Sequence, residues 1–226
     1  MNYVLATSRT WNEVLAKRLE KRTGHTYYLV TKNENLSKEF LDSINPRYIF
    51  FPHWSYRIHE DIYKTYDCVI FHMTDLPYGR GGSPLQNLIL RGHRETKISA
   101  IKCVKEMDAG PIYLKRSLCL EGSASEIFLR AVEIIEEMIV QIVQNDSSPT
   151  PQEGEPVYFK RRKPEESNLN ENTIASLNDF FDFIRMLDVD SYPRAYIDVH
   201  GYKMELSRVQ MKENKLVGTF VIVKGK

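Results

Sequence analysis

Cysteine is scarce in this chain: Cys68, Cys103 and Cys119 are the only three, each inside an apolar, strand-like run and far from the others. That number and spacing argue against a disulfide framework and against a cysteine zinc site. They fit buried, reduced thiols in a cytoplasmic protein. No run approaches the ~18 apolar residues needed to span a bilayer, and the opening MNYVLATSRTW lacks the basic start and apolar length of a signal peptide. Net charge is almost absent: 31 Lys and Arg against 30 Asp and Glu leave +1, which gives no global footprint for nucleic acid. The expected partners are small molecules, with no nucleic acid and no membrane, and an anionic ligand has to be met locally. No internal repeat is visible.

What is present suits a globular chain. With 226 residues, 42% hydrophobic and 27% charged, it can bury one α/β-sized core and carry a small appendage. Strand-like runs at 2–6, 26–31, 47–51 and 67–71 alternate with helical patterns, and two more strand regions follow at 96–107 and 110–120. Thr10 with Glu13, and Ser123 with Glu126, read as capping boxes of helices; Ser83, Pro84 and Gln86 read as N-cap, N1 and N3 of another. The fold class is therefore α/β, a mainly parallel Rossmann-like sheet with helices on both faces. The run QNDSSPTPQEGEPVY (144–158) has linker composition. It divides a domain of 1–150 from a small C-terminal α+β unit of 155–226, with a helix near 175–187 and turns at His200-Gly201 and Glu213-Asn214. That unit offers a strand edge for homodimer formation.

Ligands of open parallel sheets bind beyond the C-terminal ends of the strands. That rule selects His53, His72 and Asp108, which are expected to converge on one crevice. Two histidines and a carboxylate there can serve acid–base chemistry or form a metal site of hydrolase or oxygenase type. The loop after His72, GRGGSP, is weak as a dinucleotide fingerprint, because Pro84 stands where the last small residue belongs. It is better read as backbone that admits a ligand, with Arg80 available to an anion. The run Lys160 to Lys163 is either a solvated charge cluster or a local phosphate contact.

The wording FHMTDLPYGRGGSPLQNLILRG resembles the signature of folate-dependent formyltransferases, in which a strand ending Asn-x-His enters a Leu-Pro loop. MDAGPIY, with Asp108 36 positions after His72, resembles their second signature, an Asp-x-Gly loop. FKRRKPEES and FIRMLDVDSYPRAYI are similar to the start of the C-terminal region in methionyl-tRNA and sugar formyltransferases. The wording around His72 looks most like nucleotide-sugar N-formyltransferases of the pseudaminic-acid type. One departure is plain: Ile70 occupies the place of the catalytic Asn.

The resemblance implies transfer of a formyl group from 10-formyltetrahydrofolate, with no metal, to the primary amine of a nucleotide-linked amino sugar. The alternatives are methionyl-tRNA or another amine as acceptor, a metal-dependent hydrolase, and a non-catalytic sugar-nucleotide-binding module. His72 is expected to donate to the developing oxyanion, Asp108 to orient His72 and take the amine proton, and His53 to replace part of the missing Asn. Phe50, Phe51, His53, Trp54, Val104, Glu106, Met107, Asp108 and Gly110 are the expected folate contacts. Met73, Thr74, Tyr78, Gly79, Arg80, Gly81, Gly82 and Arg161 are the expected acceptor contacts.

Overall fold

The structure is a computed structural model that describes every residue except Ser147, Ser191, Gly225 and Lys226. The expected linker and C-terminal unit include these four positions, which lie outside the described residues. The elements run β1 (Asn2–Ala6), α1 (Leu15–Thr23), β2 (Thr26–Val30), α2 (Lys38–Ile44), β3 (Tyr48–Pro52), α3 (Glu60–Thr65), β4 (Cys68–His72), β5 (Tyr78–Gly81) and α4 (Pro84–Leu90). They continue with β6 (Glu95–Lys102), β7 (Ile112–Cys119), α5 (Ala124–Asn145), β8 (Val157–Phe159), α6 (Leu177–Arg185), β9 (Ala195–Val199), β10 (Tyr202–Lys212) and β11 (Lys215–Lys224).

Six strands form one sheet in the order β2-β1-β3-β4-β6-β7. β1 to β4 are parallel, as buried Val, Ile and Phe runs joined by helices require. β6 departs from that pattern. It pairs with β4 antiparallel, Val69 facing Lys102 and His72 facing Ser99, so β6 ends beside the start of β4. One sheet face buries Val4, Ala6, Ile49, Phe51 and Cys68 against Leu41 of α2 and Ile62 of α3.

Residue contacts divide the chain into two compact units, and neither is one continuous stretch. The first comprises Met1–Gly81, Thr96–Leu118 and Leu129–Tyr158; the second comprises Gly82–Glu95, Cys119–Phe128 and Phe159–Lys226. A cut near 150–155 therefore misses that α4 groups with the C-terminal region. Within the second unit, Asn87 Nδ2 donates to the carbonyls of Gly82, Ser83 and Lys160, and Gln86 Nε2 to that of Met186. Arg185 is buried, its Nη1 donating to the carbonyls of Leu120 and Gly122. β9, β10 and β11 form an antiparallel sheet with β11 at its edge, and the turns fall at His200-Gly201 and Glu213-Asn214 as expected. β11 leaves Val217, Phe220, Val221 and Ile222 exposed.

Two caps differ from expectation. Residues 10–12 form a 3₁₀ turn and α1 starts only at Leu15, with no side-chain cap on Val14. Asn12 explains this: its Nδ2 is committed to Thr7, the Pro52 carbonyl and His53, which holds the chain off the helical path. Ser83 sits at the N-cap of α4 but in the left-handed region (φ 49°) and caps nothing. Its Oγ instead meets the Tyr192 hydroxyl and accepts the Arg162 N–H. Ser123 and Glu126 do form the expected reciprocal pair.

The 144–158 segment is not a free linker. Thr150 pairs with Ile112 through two backbone hydrogen bonds of 2.7 and 2.9 Å, and Val157 N–H donates to the Pro77 carbonyl. Its composition is that of a loop, but the backbone groups of Thr150 and the Val157 N–H find partners distant in sequence.

Candidate functional site

β4 delivers His72 as its last residue, buried at 7% exposure. One ring nitrogen, Nε2, lies 2.8 Å from the Gly79 carbonyl; the other, Nδ1, lies 3.6 Å from Asp108 Oδ1, within ion-pair reach when the ring is protonated. A carbonyl only accepts, so Nε2 carries a proton here. Asp108 comes from the loop between β6 and β7, in the left-handed conformation at φ 53°. Its Oδ2 accepts the Gly81 N–H at 2.9 Å. The carboxylate is thus held through Oδ2 by the backbone of the glycine-rich loop, with Oδ1 turned toward the strand-end histidine.

The expectation that parallel strand ends supply these residues fails for Asp108. β6 ends at the Cys68 end of β4, and the 103–108 segment has to return along β4 to reach His72. Gly110 makes that return tight: a Cβ there would lie 1.7 Å from the Lys102 carbonyl oxygen. Cys103 begins the loop. Burial, with the Asp108 charge adding to it, pushes its thiol up to about 11, so it stays a neutral thiol.

His53, the expected third catalytic group, faces Asn12 and Met73 through its two ring nitrogens. Its Nδ1 accepts from Asn12 Nδ2 at 3.1 Å and its Nε2 faces Met73 Sδ at 3.3 Å. Burial first, then the nearby Arg9 charge, pushes it down to about 4, so it is a neutral imidazole at physiological pH. Among the described residues, no group of three or more His, Cys, Asp or Glu side chains is placed to hold a metal ion. The two-histidine, one-carboxylate metal site has no counterpart there.

The remaining candidates separate by burial. Phe50 and Phe51 are 0% and 1% exposed and belong to the core, on opposite faces of β3, which leaves their side chains no surface for a ligand. Met73 and Thr74 are likewise buried; Thr74 Oγ1 donates to the Gly79 carbonyl, which leaves neither side chain surface for an acceptor. Trp54 is partly buried against Phe51 and Tyr56, and its indole N–H is enclosed without a hydrogen-bond partner. Val104 and Asp108 are partly exposed, Glu106 and Met107 are exposed, and Gly110 is buried. Tyr78, Arg80 and Gly81 line the partly exposed strand β5, with Gly79 buried among them. Gly82 and Arg161 meet each other in the second unit: a Cβ on Gly82 would lie 2.5 Å from the Arg161 Cβ, so only glycine fits.

Sequence reasoning missed Gln152. Its Nε2 donates to the carbonyls of Asp108 (2.8 Å) and Gly110 (2.9 Å), while its Oε1 accepts from Arg80 Nε (3.1 Å) and Nη2 (2.7 Å). No local pattern marks such a residue, because all its partners are distant in sequence. Two surface hollows of about 610 and 600 Å³ do not contain the His72–Asp108 pair.

Residues 164–223 match the family described as methionyl-tRNA formyltransferase, C-terminal domain. A methionyl-tRNA formyltransferase from Mycoplasmopsis pulmonis is 34% identical over 143 residues, covering 61% of this chain and 49% of its own. The chain thus spans about half the length of the curated relatives it matches. A structure described as methionyl-tRNA formyltransferase from Clostridium thermocellum is 45% identical with a TM-score of 0.96, each chain covered in full. A sugar N-formyltransferase from Shewanella sp. covers 100% of this chain and 98% of its own at TM-score 0.70, but its 12% identity speaks for the fold alone.

The chain belongs to the formyltransferase family, and the relatives that place it there carry the name methionyl-tRNA formyltransferase. The narrower likeness to pseudaminic-acid-type sugar enzymes is not what these comparisons favour. No helix of the described residues is long and apolar enough to cross a membrane.

Proposed function

We propose that the chain transfers a formyl group from 10-formyltetrahydrofolate to a primary amine. The observation that carries this reading is the His72–Asp108 pair, 3.6 Å apart, at the two positions that match the family's motifs. In the reaction the amine nitrogen bonds to the formyl carbon, the bond from that carbon to the folate nitrogen breaks, and the amine's proton ends on the leaving nitrogen. Asp108, with Oδ2 fixed by Gly81 and Oδ1 toward the imidazole, takes that proton and passes it on, directly or through water. His72 Nε2–H supports the charge on the formyl oxygen once that oxygen replaces the Gly79 carbonyl as its acceptor. The pterin side of the donor fits beside Trp54, whose enclosed indole N–H lacks a partner, and the backbone of 104–110.

The α-amino group of methionyl-tRNA is the first acceptor reading, and it rests on the names of the relatives. This runs against the expectation of no nucleic-acid partner. A nucleotide-linked amino sugar is the second reading, favoured by the balance of 31 basic and 30 acidic residues, since tRNA binding draws on broad basic surface. The test is incubation with 10-formyltetrahydrofolate and either charged methionyl-tRNA or a panel of UDP-, dTDP- and GDP-linked amino sugars, read by mass spectrometry. Formylation of one acceptor class identifies it. No product from any acceptor sinks the proposal.

A further inference from the structure

We infer that Gln152 is the positioning residue of this site, setting both the Asp108 loop and the Arg80 guanidinium; its kinetic part rests on the formyl-transfer reading above. The amide orientation is not arbitrary. Nε2 faces two carbonyl oxygens and Oε1 faces two guanidinium N–H groups, so a flipped amide would lose all four contacts. The two carbonyls belong to Asp108 and Gly110, which bracket the turn where Asp108 adopts φ 53°. A non-glycine residue in that region persists only where its surroundings hold it. Gln152 supplies that hold from outside the loop, and is itself anchored on one side by the Thr150–Ile112 backbone pair and on the other by Val157 on Pro77.

The consequence is a division of labour within one side chain. Its amide nitrogen fixes the loop that carries the proton acceptor, and its amide oxygen aims Arg80, which stands on β5 within the glycine-rich stretch. Gln152→Glu separates the two. A carboxylate still accepts from Arg80, but it cannot donate to the two carbonyls and repels them.

The experiment compares wild type, Gln152→Glu and Gln152→Ala after melting curves establish that each folds. Hydrogen exchange in peptides spanning 103–110 is expected to accelerate by at least about tenfold in both variants, because the Ala109 N–H, bonded to the Glu106 carbonyl, lies in the turn that loses its hold. Turnover is expected to fall by at least about tenfold in both, while the acceptor KM rises only in Gln152→Ala. Unchanged exchange and unchanged turnover overturn the inference, as does equal KM in the two variants. A wild type inactive on every acceptor sinks the formyl-transfer reading alone, since the exchange measurement still decides whether Gln152 orders the loop.

Discussion

Substituting Gly110 by Ala tests whether the return path of the Asp108 loop governs the chemistry. The new Cβ would lie 1.7 Å from the Lys102 carbonyl oxygen and 2.9 Å from its carbon, where real Cβ atoms keep at least 3.0 Å. The obstacle is backbone, and it is held. Lys102 pairs with Val69 in the sheet, and its N–H donates to Pro111 at 2.9 Å. The loop therefore has to yield by about an ångström, and the overpacking costs ~1–3 kcal/mol. For a chain of this size that lowers the melting temperature by roughly 2–12 °C. A displacement of that scale, two residues from Asp108, is expected to slow formyl transfer by about a hundredfold. Differential scanning fluorimetry and a single-acceptor rate assay measure the two effects separately. A lowered Tm with an undiminished rate would falsify the idea that this loop's placement controls the reaction, and no change in either would refute the steric argument itself.

Asp108→Asn keeps an oxygen for the Gly81 N–H, so it should melt near wild type while turnover falls by ~10²–10⁴-fold; a rate within tenfold of wild type removes Asp108 as proton acceptor. His53→Ala should slow transfer by less than about tenfold, because its ring nitrogens serve Asn12 and Met73; a larger loss in a folded variant restores it to the machinery. The same histidine predicts a pH dependence. Held down to about 4 in the fold against ~6.5 unfolded, it leaves the unfolded state with more bound protons in that window, so stability falls as pH drops from 6.5 to 4, by at most about 3 kcal/mol. Urea melts of His53→Ala should lose that slope, and an unaltered slope rejects the assignment. At the edge of the C-terminal sheet, Phe220→Lys should convert a homodimer to monomer in sedimentation equilibrium; a monomeric wild type removes the dimer.

Much of the first unit was legible because period and punctuation are local. The parallel strands fall within a residue or so of the apolar runs, Gly24 ends α1 at φ 71° and Asn45 ends α2 at φ 46°. What was not legible depends on partners far along the chain. Thr10 and Glu13 have the spacing of a capping box, but the commitments of Asn12 override it. Residues 150–157 have the composition of a linker, yet their hydrogen bonds go to Ile112, Asp108, Gly110, Arg80 and Pro77. Composition reports that a segment needs polar partners and says nothing about which it finds.

The direction of β6 is the case with the largest consequence for function. An apolar run reads the same whether its strand runs up or down the sheet, and the antiparallel direction puts the strand's end at the far end of β4 from His72. Asp108 then cannot be placed by a strand, only by a loop with supports: Gly110 against Lys102, Gln152 on two carbonyls, and the Gly81 N–H on the carboxylate. Ile70 belongs to the same reasoning. It lies two residues before His72, hence on the same face of β4, and packs half-buried against the cluster of Cys68 and Cys103. Position 70 thus offers apolar packing where the family's pattern has a hydrogen-bond donor. Its loss concentrates the demand for polar alignment on the Asp108 loop, so substitutions at Gly110 and Gln152, which act through the placement of that loop, should cost nearly as much as substitutions in the pair they hold together.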